Sequence, residues 1–116
     1  MIVALQGTRN FSDYTIFLRG MGTAMSMLKA DDKEILIYSA GPAQINSFGM
    51  EFSNISERSL KARGIKIKFI KIPPSWIKNN IHTIDYFVYF SKPKESLSEL
   101  VELAESKNIE VGVYRF

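Results

Sequence analysis

Two hydrophobic periods alternate along this chain. Ile2-Val-Ala-Leu5 is a continuous apolar run closed by Gly7, the pattern of a strand buried on both faces of a parallel sheet. After a polar turn at 8–13, Tyr14, Phe17, Leu18, Met21, Met25 and Leu28 recur at steps of three and four. That spacing predicts a helix with one buried stripe and with Ser12 or Asp13 as its N-cap. Gly20 and Gly22 weaken that helix locally. Residues 34–39 read as a second buried strand, and the turn at 40–46 leads to a second helix whose Ile45, Phe48, Phe52 and Ile55 face the core until Gly64 stops it.

The next segment changes period. Ile65, Ile67 and Phe69 alternate with Lys66 and Lys68, which puts lysines on one face and describes an edge strand. Pro73-Pro74 ends it, and 75–80 is a short helix or irregular crossover. Residues 85–90 form a fourth, buried strand. Ser96 with Glu99 three residues on reads as a capping box for a helix that buries Leu97, Leu100, Val101 and Ala104, and 109–116 is the fifth strand. Strands and helices alternate throughout. Right-handed crossovers therefore predict a single Rossmann-like α/β domain, three layers thick, with a mostly parallel five-stranded sheet in the order 3-2-1-4-5.

Composition adds limits rather than a function. The 116 residues, 46% apolar and 23% charged, suit one ordinary globular domain. There is no cysteine, which excludes disulfides and thiolate chemistry and leads us to expect a reduced, cytoplasmic setting. No segment approaches the roughly 20 apolar residues of a membrane span, so no membrane partner is expected. The only histidine, His82, stands alone in a crossover, and neither a metal site nor a Ser-His-Asp triad is expected. The net charge is +3, but Arg58, Lys61, Arg63, Lys66, Lys68, Lys71 and Lys78 fall in a stretch without acids. A nucleic-acid contact there is the weaker reading, because lysines guard edge strands and no aromatic residues interleave with them.

In the order 3-2-1-4-5 the topological switch lies between the first and fourth strands. A ligand is expected over the turns after the first, second and fourth strands. The first turn offers Gly7, Thr8, Arg9 and Asn10: close backbone approach, a hydroxyl, and a guanidinium suited to phosphate or carboxylate. The second offers Ser39, Gly41, Pro42 and Ala43 at a helix N-terminus that favours an anion. The third offers Ser91, Lys92 and Ser96.

Gly7-Thr-Arg-Asn-Phe-Ser-Asp-Tyr14 resembles the opening G-x-R-x-F-x-D motif of the YspA-type proteins of the SLOG superfamily, a Rossmann-like group that includes the LOG phosphoribohydrolases and DprA. Ser39-Ala-Gly-Pro42 falls where that group has its first glycine-rich segment, and Trp76 lies near a tryptophan that follows its third strand. The second motif, P-G-G-x-G-T-x-x-E in LOG-like enzymes, aligns with Ser91-Lys-Pro-Lys-Glu-Ser-Leu-Ser-Glu99, which keeps Ser96 and Glu99 but replaces the glycines by Lys92, Pro93 and Glu95. Pro93 removes an N–H and Glu95 adds a repelling charge, so a phosphate cradle is not expected there. The resemblance implies a nucleotide-type ligand without another cofactor, held by a protein that self-associates. Catalysis by Glu99 on N-glycosidic bonds, or an inhibitory role exerted through a basic or oligomeric surface, are the alternatives.

Overall fold

The computed structural model describes residues 1–116. Strand β1 (Ile2–Gly7) is followed by α1 (Tyr14–Met25), β2 (Glu34–Ser39), α2 (Ala43–Ala62) and β3 (Lys66–Lys71). Then come α3 (Pro74–Asn79), a 3-10 turn (Ile81–Thr83), β4 (Tyr86–Ser91), α4 (Glu99–Ser106) and β5 (Glu110–Arg115). All neighbouring strands run parallel in the order β3-β2-β1-β4-β5, as the alternating pattern predicts. β1 lies at the centre, with Leu5 opposite Ser39 on one side and Val88 on the other.

Helices cover both faces, and burial follows from which strands they cover. Val3, Leu5, Ile35, Ile37, Val88 and Phe90 pack with Phe17, Met21 and Ala24 of α1 and with Ile45, Phe48 and Phe52 of α2. Four phenylalanines knit that layer together: Phe11 stacks on Phe90 at 4.6 Å between ring centroids, Phe17 stacks on Phe90 at 5.5 Å, and Phe48 meets Phe11 edge-on at 6.1 Å. Ala4, Phe87 and Tyr89 face the other way, onto Ile77, Ile81, Val101 and Ala104. β4 is buried at every position. β2 is not. Ile35, Ile37 and Ser39 are buried while Glu34, Leu36 and Tyr38 are partly exposed, because that face of the β2–β3 half is left largely open.

The helix stripes are narrower than the spacing suggests. Leu18 is 43% exposed and Ile55 67% exposed, and Leu28 lies beyond the end of α1. The reason is visible in the glycines. A Cβ on Gly20 would come within 2.8 Å of Val88 Cγ1, and one on Gly49 within 2.5 Å of Phe69 Cε2, so both helices press backbone against the sheet and roll their flanks outward. Gly22, by contrast, faces open space. Asp13, rather than Ser12, caps α1 by accepting from the Ile16 N–H at 3.1 Å.

The capping box at Ser96 does not form. α4 begins at Glu99, two residues later than that box requires, and Ser98 is its N-cap, accepting from Val101 N–H at 3.4 Å. Glu99 then occupies the first helical position and cannot reach back to the cap amide; it acts with Glu102 on the helix dipole instead. Asp85 also falls just outside β4, where its carboxylate accepts from Ile2 N–H at 2.7 Å.

Truncating Phe90→Ala removes the ring that Phe11 and Phe17 stack on and is expected to cost about 3–5 kcal/mol in chemical denaturation. Ile55→Ala, on the exposed flank, is expected to change stability by less than about 0.5 kcal/mol. Burial, and then the hydroxyl of Tyr114 at 3.2 Å, raise the Tyr86 pKa above its ordinary value. The fold thus favours the protonated phenol. Its contribution is complete below the ordinary tyrosine pKa near ~10 and is lost as pH rises beyond it. Alkaline unfolding of the wild type is therefore expected to be steeper than that of Tyr86→Phe; equal profiles would contradict the assignment.

Candidate functional site

At the carboxyl end of the sheet the first turn is fastened through its backbone to the second turn and to the end of β4. The Gly7 N–H donates to Gly41 O at 3.2 Å, whereas the next amide, Thr8 N–H, donates to Phe90 O at 2.9 Å. β1 thus reaches to β2 on one side and to β4 on the other within two residues. Ala40 N–H completes the seam by donating to Leu5 O at 2.9 Å. Gly7 is required for this closeness, because a Cβ there would collide with Ile45 Cδ1 and lie 3.0 Å from Phe90 O.

Below the seam the Thr8 hydroxyl is buried and has no hydrogen-bond partner. Past it, Arg9 and Asn10 are exposed, and Asn10 takes φ +70° to turn the chain toward α1. Buried Phe11 pins the far end of the turn. Arg9 is therefore a free guanidinium on a turn fixed at both ends.

The second turn is ordered by a side-chain pair that sequence spacing did not single out. Buried Ser39 donates from Oγ to Asn46 Oδ1 at 2.5 Å and accepts from Gly41 N–H at 3.3 Å. Gly41 adopts φ +86°, a conformation that favours glycine. Pro42 occupies the N-cap position of α2 without a side-chain cap. The first N–H groups of α2, at Ala43 and Gln44, are thus uncapped and exposed beside Gly41, with the dipole of a 20-residue helix behind them.

The third turn is built differently from the others. Arg115, at the end of β5, donates through Nη1 to Ser91 Oγ at 2.9 Å, to Lys92 O at 2.9 Å and to Glu95 O at 3.0 Å. The turn folds its carbonyls around a guanidinium. A phosphate-binding loop gathers N–H groups, so this turn has the opposite polarity. Ser91 Oγ is fully engaged, since it also donates to Lys92 O at 3.1 Å. Lys92 and Ser96 are exposed, and Ser96 holds no structural position. Ser98, which sequence reading passed over, donates to Gln6 Oε1 at 3.3 Å, while burial raises the pKa of Tyr89.

Of the residues nominated from sequence, Gly7, Thr8 and Gly41 form the seam, while Ser39 orders the second turn through Asn46 and Gly41 and Ser91 is held by Arg115 in the third. Arg9, Pro42 and Ala43 stand at its surface. Ser96 and Glu99 lie outside it. Arg115 was legible in principle, because strand order places it directly opposite Ser91. No group of three metal-ligating side chains is assembled, and no helix is long and apolar enough to cross a membrane. Three of the surface depressions, of about 230, 320 and 440 Å³, lie away from the rim: by Asp32 and Asp85, along the lysines of β3, and along β5.

The molecule is thus an open, all-parallel α/β protein with a backbone-ordered rim at its switch point. Comparison with protein-family models, with curated proteins and with solved structures gives no match.

Replacing Arg115 by Ala removes three hydrogen bonds that order the third turn. It is expected to cost about 1–2 kcal/mol and to speed amide exchange across residues 92–95 while leaving the seam amides of Gly7 and Thr8 unchanged. Uniform acceleration throughout would show that Arg115 supports the whole sheet rather than the turn.

Proposed function

We propose that this chain is a SLOG-type binding protein that holds a nucleotide or nucleotide-derived ligand over the first two turns, without turning it over. The observation that carries the proposal is the uncapped N-terminus of α2, held beside Gly41 and the Gly7–Asn10 turn by the seam. A phosphoryl group there would accept from the Ala43 and Gln44 N–H groups and pair with Arg9, while a ribose hydroxyl would sit over Asn10. The glycine-free third turn, whose carbonyls face Arg115, supports binding at the first two turns rather than across all three. Glu99 stands exposed at the start of α4 and is not part of the seam, which favours binding over hydrolysis.

Calorimetric titration with nucleoside monophosphates, nucleoside diphosphates and ADP-ribose tests this. At least one is expected to bind, and Arg9→Ala is expected to weaken it tenfold or more, about 1.4 kcal/mol. Because Arg9 is exposed, its loss should leave the melting temperature unchanged. Binding by none of them, or binding indifferent to Arg9→Ala, would contradict the proposal. Release of free base that stops in Glu99→Gln would favour the hydrolase instead.

A further inference from the structure

The two edges of the sheet are treated differently. β3 carries exposed Lys66, Lys68 and Lys71, the kind of charge that keeps an edge from pairing. β5 has no such guard: Val111-Gly112-Val113-Tyr114 at its centre contains no charge, no proline and no bulge, and no element lies beyond it. Its backbone direction is fixed by one bond. Phe116 N–H donates to Ser91 O at 3.1 Å, so the even-numbered residues of β5 turn their amides toward β4. Val111, Val113 and Arg115 turn theirs outward, and no other segment meets them.

We propose that the β5 edge pairs antiparallel with β5 of a second copy of this chain, making one continuous sheet through a two-fold dimer. Charge selects the antiparallel sense and a like partner. The amino end of β5 is net acidic, with Glu105 and Glu110 against Lys107, and its carboxyl end is net basic, with Arg115, Lys92 and Lys94 against Glu95. Two copies related by a two-fold axis set each acidic end against a basic one, whereas a parallel approach would set like against like. Parity then selects the register. Outward residues must face outward residues, and the register with Val113 on the axis pairs Val111 with the partner's Arg115 on both sides. It satisfies every outward amide and carbonyl with roughly six interchain hydrogen bonds. The depression of about 440 Å³ lined by Glu105, Asn108, Ile109, Glu110, Val111 and Val113 runs along this edge on the α4 face, at its acidic end.

Light scattering over a roughly hundredfold concentration range is expected to show a mass that doubles. Val113→Pro is expected to remain monomeric with an unchanged melting profile, because the Val113 N–H points away from β4 and proline is tolerated at such edge positions. In the wild type, amide exchange at Val111, Val113 and Arg115 should slow about tenfold or more as concentration rises. A monomer throughout, or a Val113→Pro chain that still doubles its mass, would overturn the proposal. Should Val113→Pro fail to fold, the exchange experiment decides alone: rates at those three amides that do not depend on concentration would overturn it.

Discussion

The rim of this protein depends on how the two amides at the end of β1, those of Gly7 and Thr8, are fastened. Gly7 N–H bonds to the turn after β2, and Thr8 N–H continues the ladder to β4. Successive amides alternate sides all along β1, which pairs with β2 and β4 throughout, and the last amide on the β2 side belongs to a glycine whose missing Cβ admits Ile45 and Phe90 O. The consequence is local order. Backbone amides at the strand end are spent on fastening the first turn to the second turn and to β4. Side chains past the seam, Arg9 above all, are presented from a fixed base.

The same constraint explains why the rim is asymmetric. On the β2 side the seam leads into a helix whose first N–H groups are left uncapped, because Pro42 supplies no side-chain acceptor. On the β4 side the chain runs through an irregular segment from 92 to 98 before α4 begins, and Arg115 collects its carbonyls. One flank offers donors and the other consumes them. The glycine-poor sequence from Lys92 to Glu95 is consistent with that division, since a turn that wraps a guanidinium needs no N–H groups at its centre. The buried Thr8 hydroxyl lies between the two flanks without a partner.

Much of the fold was legible in the sequence because period and burial agree in the strands. The run 86–90 is apolar at every position and is buried at every position, while Lys66 and Lys68 announce an edge that strand order confirms. The helices were less legible. Leu18 and Ile55 have the right spacing to be core residues, yet the closest approach to the sheet is made by Gly20 and Gly49, which a hydrophobic count cannot weigh. Ser96 and Ser98 each offer a hydroxyl at a helix start, and it is Ser98 that finds a partner, Gln6, 92 positions away and beyond any local pattern. The rim's position followed from topology alone. Its chemistry did not, because Arg115 and Asn46 act through contacts that only the assembled sheet creates.

The account's central claim is that the seam is a rigid, hydrogen-bonded element rather than a pair of surface loops. Residue-resolved hydrogen exchange in the unliganded protein tests it most directly. The Gly7 and Thr8 amides are expected to exchange as slowly as those of Leu5 and Val88, through opening of the whole sheet, while Arg9 and Asn10 exchange quickly. Gly7 and Thr8 amides that exchange as fast as Arg9 would contradict it.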